Sequence, residues 1–173
     1  MGCIHAQRLE SAAIKMIANM WSLEPDVSMQ PVEAMPLKLI VNTGERSDGE
    51  EFVVNLYCGH SAEKVELPSI VAYASPTTED EPGNGLWNVE LHVQLQVSAD
   101  NDAGQESTFK KLNRFSTWLG TLMNATDLHV DLTISGGDLS VLGAWGRSAA
   151  VSVEGRRRQH TYSIQTLVSL YNL

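Results

Sequence analysis

From Leu86 to Val97 the chain reads LWNVELHVQLQV, in which Trp87, Val89, Leu91, Val93, Leu95 and Val97 alternate strictly with Asn88, Glu90, His92, Gln94 and Gln96. A period of two sends all the apolar side chains to one side of an extended backbone, which no helix can do. The stretch therefore predicts a long strand with one buried and one wet face, the central rail of an antiparallel sheet. A second alternation runs over 159–171, where Tyr162, Ile164, Thr166, Val168 and Leu170 interleave with Ser163, Gln165, Leu167 and Ser169. These two rails are expected to pair antiparallel near the middle of the sheet.

The pattern changes to a helical one in two places. In residues 4–22, Leu9, Ala13, Met16, Ile17 and Met20 form one stripe, with Arg8, Glu10, Lys15 and Asn19 elsewhere, and Pro25 stops the helix. In residues 106–124, Phe109, Leu112, Ser116, Leu119 and Met123 form a stripe flanked by Phe115, Trp118 and Leu122. Lys110, Lys111, Asn113 and Arg114 take the wet side.

Residues 24–36, with Pro25, Pro31 and Pro36, read as an extended connector. Leu37–Val41 and Glu51–Cys58 read as a hairpin whose polar tip, NTGERSDGE, exceeds the usual length. Leu67–Ala74 reads as a strand that tolerates Pro68 among its first residues. Ser75–Gly85 (SPTTEDEPGNG) reads as a second long loop, and 99–105 as a turn leading into the second helix.

Asp127–Ser135 alternates Leu128, Val130, Leu132 and Ile134 with polar residues, which favours a strand, a short helix being the alternative. Gly136-Gly137 is a turn. Leu139–Trp145 is a strand broken at Gly146, and Ala149–Glu154 is a further short or edge strand. The expectation is one α+β domain over 1–173, an antiparallel, twisted β-sheet with the two amphipathic helices, 4–22 and 106–124, packed on it.

Charge and composition narrow the function classes. The 173 residues carry a net charge of −9, which argues against a general nucleic-acid binder, since phosphate contacts need clustered cations. Cys3 and Cys58 lie in no metal-ligand or CxxC spacing, and reduced thiols are expected. His5, His60, His92, His129 and His160 are too far apart to form an HxH or HxxxH pair. No GxSxG, Walker loop or GxGxxG occurs. The expectation is therefore no enzyme activity, no metal and no cofactor. No apolar run is long enough to cross a membrane, and Lys15 and Asn19 interrupt the one candidate signal region. Met1-Gly2-Cys3 hints at acylation, but Ala6 stands where the myristoylation pattern has Ser or Thr.

The charged clusters are the remaining candidates. Arg156-Arg157-Arg158 precedes the last strand of an otherwise acidic chain. It reads either as a guard against edge pairing or as one side of a contact between subunits. Glu79, Asp80 and Glu81 in the second long loop, and Glu45, Arg46 and Asp48 in the 42–50 tip, are the matching interface candidates. Their alternative is a solvated surface, and for the acid run also a calcium loop.

The order of these segments resembles that of the tail terminator, or tail-completion, proteins of tailed bacteriophages. An N-terminal helix and connector lead to a hairpin and a Leu-Pro-x-Ile-Val strand (67–71). A Gly-Asn-rich loop then runs into a long alternating strand (83–98), and an Ala-Asp-Asn-Asp turn (99–102) leads into a helix. A Val-Leu-Gly strand (141–143) precedes a basic segment and a long last strand. The match runs from about Leu67 to the C-terminus.

The resemblance implies a subunit that closes into a ring, typically of six. The ring caps the finished tail tube and offers its other face to the head connector. DNA passes through the lumen without specific binding, and no reaction takes place. Its partners would be further copies, the tail tube protein and the head-tail connector or stopper proteins. Its place would be the virion tail or neck, after assembly in the host cytoplasm. A head-side stopper or adaptor, a tail-tube subunit and a small non-viral binding module, such as an immunity or ligand-sequestering protein, are the alternative readings.

Overall fold

The computed structural model describes residues 2–21, 27–30, 37–42, 51–59, 67, 69–81, 83–98, 116, 119–154 and 157–170. Its elements are α1 (Gly2–Trp21), β1 (Val27–Gln30), β2 (Leu37–Asn42), β3 (Glu51–Cys58), β4 (Ser69–Glu79), β5 (Trp87–Ser98), α2 (Leu128–Gly136), β6 (Leu139–Glu154) and β7 (Arg157–Leu170). The strands form one sheet in the order β1-β2-β3-β4-β5-β7-β6. The two alternating rails are adjacent and antiparallel, with Leu91 opposite Ile164 and Val93 opposite Tyr162.

The α+β class holds, but the sheet is mixed. β3 and β4 run parallel, Leu56 opposite Ile70, while every other pair is antiparallel. Direction between neighbouring strands is set by how the chain returns from one to the next, and periodicity within either strand carries no record of it.

One face of the sheet is the core. Val89, Leu91, Val93, Leu95 and Val97 are buried there with Ile70, Ala72 and Ala74 of β4 and Ile164 and Val168 of β7. Each large side chain so buried stabilises the fold by about 1.5–3 kcal/mol. Helix α1 lies on β4 and against α2. Its buried arc takes in Ala6, Ala12, Ala13 and Ala18 beside Leu9, Ile14, Met16 and Ile17, and the small residues let the helix approach both neighbours closely. Of the second sequence-predicted helix, residues 116 and 119–123 are described and are helical, with Ser116, Leu119 and Met123 buried as the stripe requires. Gly120 lets these turns sit on the Tyr162 ring, since a Cβ there would lie 3.1 Å from Cε1.

Four local expectations are corrected. Asp127–Ser135 is not a strand: it contributes Leu128–Ser135 to α2, which buries Leu128 and Leu132, spaced one helical turn apart, and leaves Val130 and Ile134 exposed. The two strands expected at 139–145 and 149–154 are one 16-residue strand. Its register slips between Val141 and Gly143 and again between Trp145 and Ser148. Gly146, at φ 60°, forms a bulge and not a break. The loop expected over Ser75–Gly85 is shorter, because β4 continues to Glu79. The connector at 24–36 contains β1.

Thr133 joins α2 to the first bulge. Its Oγ accepts a hydrogen bond from the Val141 amide at 2.9 Å.

Candidate assembly surfaces

The face of the sheet turned away from the helices is polar. Tyr73 stacks on His92 with centroids 4.7 Å apart, and His92 Nδ1 lies 2.7 Å from Ser163 Oγ. Glu90 Oε1 is 3.7 Å from the other ring nitrogen. Burial, with Glu90 adding to it, pushes the Tyr73 hydroxyl above its ordinary pKa. Next along the strands is an amide ladder. Gln96 donates to Gln94 Oε1 at 2.7 Å, and Gln94 donates to Gln159 Oε1 at 3.2 Å and to Thr161 Oγ1 at 3.0 Å. Glu90 is the one carboxylate that β4, β5 and β7 place on this face between the Gln96 and Asn88 rows, among the described residues.

Two further clusters lie on the helix side. Ser116 Oγ is 3.1 Å from His160 Nδ1 and 3.0 Å from Tyr162 Oη, and Tyr162 donates to the Ser116 carbonyl at 2.8 Å. Burial and the Arg158 charge hold the His160 pKa below its ordinary value, so the imidazole is neutral at pH 7. Ser116 is buried and its helix is clamped to Tyr162, so this serine–histidine contact is a packing joint.

At the other cluster, Glu10 Oε1 accepts a hydrogen bond from the Ala74 amide at 2.9 Å. The neighbouring Cys58 thiol is pushed up to about 11, by burial first and Glu10 second, with Lys15 opposing. It is therefore protonated at neutral pH, neither a nucleophile nor a ready metal ligand. No group of three His, Cys, Asp or Glu suited to a metal occurs among the described residues. No described helix is long and apolar enough to cross a membrane.

The sequence-predicted interface residues divide between the two ends of the sheet. Arg157 and Arg158 begin β7 opposite Ser98 and Val97 of β5 and Glu154 and Val153 of β6. Glu79 ends β4, and Asp80 and Glu81 are exposed in the turn that follows. Glu79 accepts from the Gly85 amide at 3.3 Å, and Asp80 accepts from Asn88 Nδ2 at 3.1 Å. Glu79, Trp87, Val168 and Val141 lie in one transverse row. From Val168 to Arg157 is eleven residue steps, about 36 Å of extended chain. The structure thus does not bring the arginines and the acids together within one copy. Glu45, Arg46, Asp48 and Arg156 lie outside the described residues.

Sequence reasoning missed the exposed apolar residues beside these charges. Val151 and Val153 are exposed near the arginine end, and Leu142, Val130 and Ile134 are exposed at the other end. The signal was present for α2, since a helix whose apolar residues alternate cannot bury them all. Compared with protein-family models and with curated proteins, the chain matches none.

Proposed function

We propose that this chain is a structural ring subunit of a tailed-phage neck. The ring, of six copies, caps the tail tube and joins it to the head connector, with DNA passing through the lumen and no reaction taking place. The segment order from Leu67 onward supports the reading. The observation that carries it is the sheet whose helices, among the described residues, pack on one face. On the other face Gln94 donates to Gln159 and Thr161, and His92 bonds Ser163 beside one carboxylate, Glu90, in a chain of net charge −9. From the Gln94 row to the Asn88 row, β4, β5 and β7 place no lysine or arginine on this face, the nearest cation of β7 being Arg157 beyond Gln159, so this stretch offers phosphates few contacts, which suits a wall past which DNA slides.

Native mass spectrometry of the purified chain, alone and with tail tubes, tests the proposal. Six copies, or single copies that become six on tube ends, uphold it. A twelve-fold ring moves the role to the head side of the neck. A single copy indifferent to tubes overturns it.

A further inference from the structure

The strands β5, β6 and β7 have two unlike ends. At one, the β6–β7 tip presents Arg157, with Glu154 opposite it, and the exposed Arg158 beside Val151 and Val153, which are 65% and 63% exposed, so two cations outnumber one acid there. At the other, α2 and the start of β6 form a corner where Ile134 is 76% exposed and Leu142 52% exposed. Asp138 is exposed at that corner, and the Glu79–Glu81 turn lies at the same end, three strands or about 14 Å away. Each end therefore holds what complements the other: branched apolar side chains without a cover, and charge of opposite sign.

We propose that copies of this chain associate head to tail through these ends, the β6–β7 tip of one seated on the α2–β6 corner of the next. The proposal deepens the ring reading and rests on it, because a contact between two different surfaces is the kind that closes a ring. Within one copy the two ends stand about 36 Å apart, several Debye lengths at physiological salt, so their charges meet only between copies. The occupant is a second copy because both halves of the match are on this one chain.

At the corner, Asp138 already bridges Arg8 at 3.4 Å, but both side chains are about half exposed, and such a bridge is weak enough to exchange for an arriving arginine. β6 is also an edge of the sheet, carrying Arg147 and Glu154 as its only charges.

Reciprocal charge insertion tests the contact. Val153→Glu puts an acid on the basic tip, and Ile134→Lys puts a cation on the acidic corner. Both sites are exposed, so the single copy folds, as circular dichroism and urea midpoints will verify. Each variant is expected to weaken self-association roughly tenfold or more, as at a buried interface position. The double variant sets the introduced carboxylate of one copy against the introduced ammonium of the next and is expected to recover part of the loss, which a folding defect would not.

Sedimentation of the four proteins gives the readout. Singles that assemble like the unmodified chain, or a double variant as weak as both losses combined, overturn the contact while a six-fold ring still stands. A two-copy particle that responds to the variants upholds the contact and overturns the ring. An unmodified chain that stays single at every concentration, with or without tail tubes, overturns both.

Discussion

At the scale of single residues, Glu10 takes the place of a strand. Beyond Cys58 the parallel partner of β4 ends, and the last bond across that seam runs from the Gly59 amide to the Ala72 carbonyl at 2.8 Å. The next amide on that side, Ala74, would be buried without an acceptor if Glu10 did not reach it from α1. Glu10→Ala is expected to cost about 2–3 kcal/mol in urea unfolding, the cost of stranding a buried donor of a charge-assisted bond. Glu10→Gln keeps an acceptor and costs less. Both remove the carboxylate that raises the Cys58 pKa, so thiol alkylation of the folded protein should set in at lower pH.

The His160 pKa is depressed, mainly by burial, so below about pH 6.5 the unfolded chain binds the proton more readily than the folded one. Stability is thus full above the unfolded value and falls as pH drops toward the folded one. His160→Gln should flatten that part of the urea-midpoint profile. An unchanged slope would mean that other groups govern it. Neither role was legible in the sequence: Glu10 stands off the helix stripe, and Ser116 and His160 are 44 residues apart.

At the scale of elements, periodicity served where each face had one environment. β5 lies between β4 and β7 with one face on the core, so its alternation translated directly into structure. The same signal failed at 127–135, because α2 is short and its outward side keeps Val130 and Ile134. Alternation there records two environments, a core seam and a surface that is apolar without being buried, and a strand is one of two backbones that provide them. β6 failed differently. Its two register slips re-aim residues along one strand, and Gly146 reads as a breaker although its positive φ lets the strand continue through a bulge. The parallel β3–β4 pair depends on the path of the chain between them, which no local pattern encodes. The arginines and acids were legible as charges, but their separation to opposite ends of the strands needed the register.

At the scale of the whole molecule, two electrostatic terms of opposite sign would govern the proposed association, and salt separates them. The net charge of −9 on each copy would repel neighbouring copies over the width of the subunit, whereas the proposed contact of tip and corner would attract only at close range. At about 0.01 M salt the Debye length is about 30 Å and repulsion reaches across the particle. At about 0.1 M it is about 10 Å, so the long-range repulsion is largely gone while the proposed arginine–acid contact, partly desolvated against Val153 and Ile134, would persist. At about 1 M it is about 3 Å, and the contact weakens as well. Self-association followed by sedimentation should therefore pass through a maximum between the extremes. A steady increase with salt would mean that the apolar residues alone hold the copies together, and Arg157→Glu with Arg158→Glu would then have little effect. A steady decrease would mean that attraction between the poles outweighs the whole-particle repulsion even when unscreened, and the double reversal should then abolish assembly at every salt concentration.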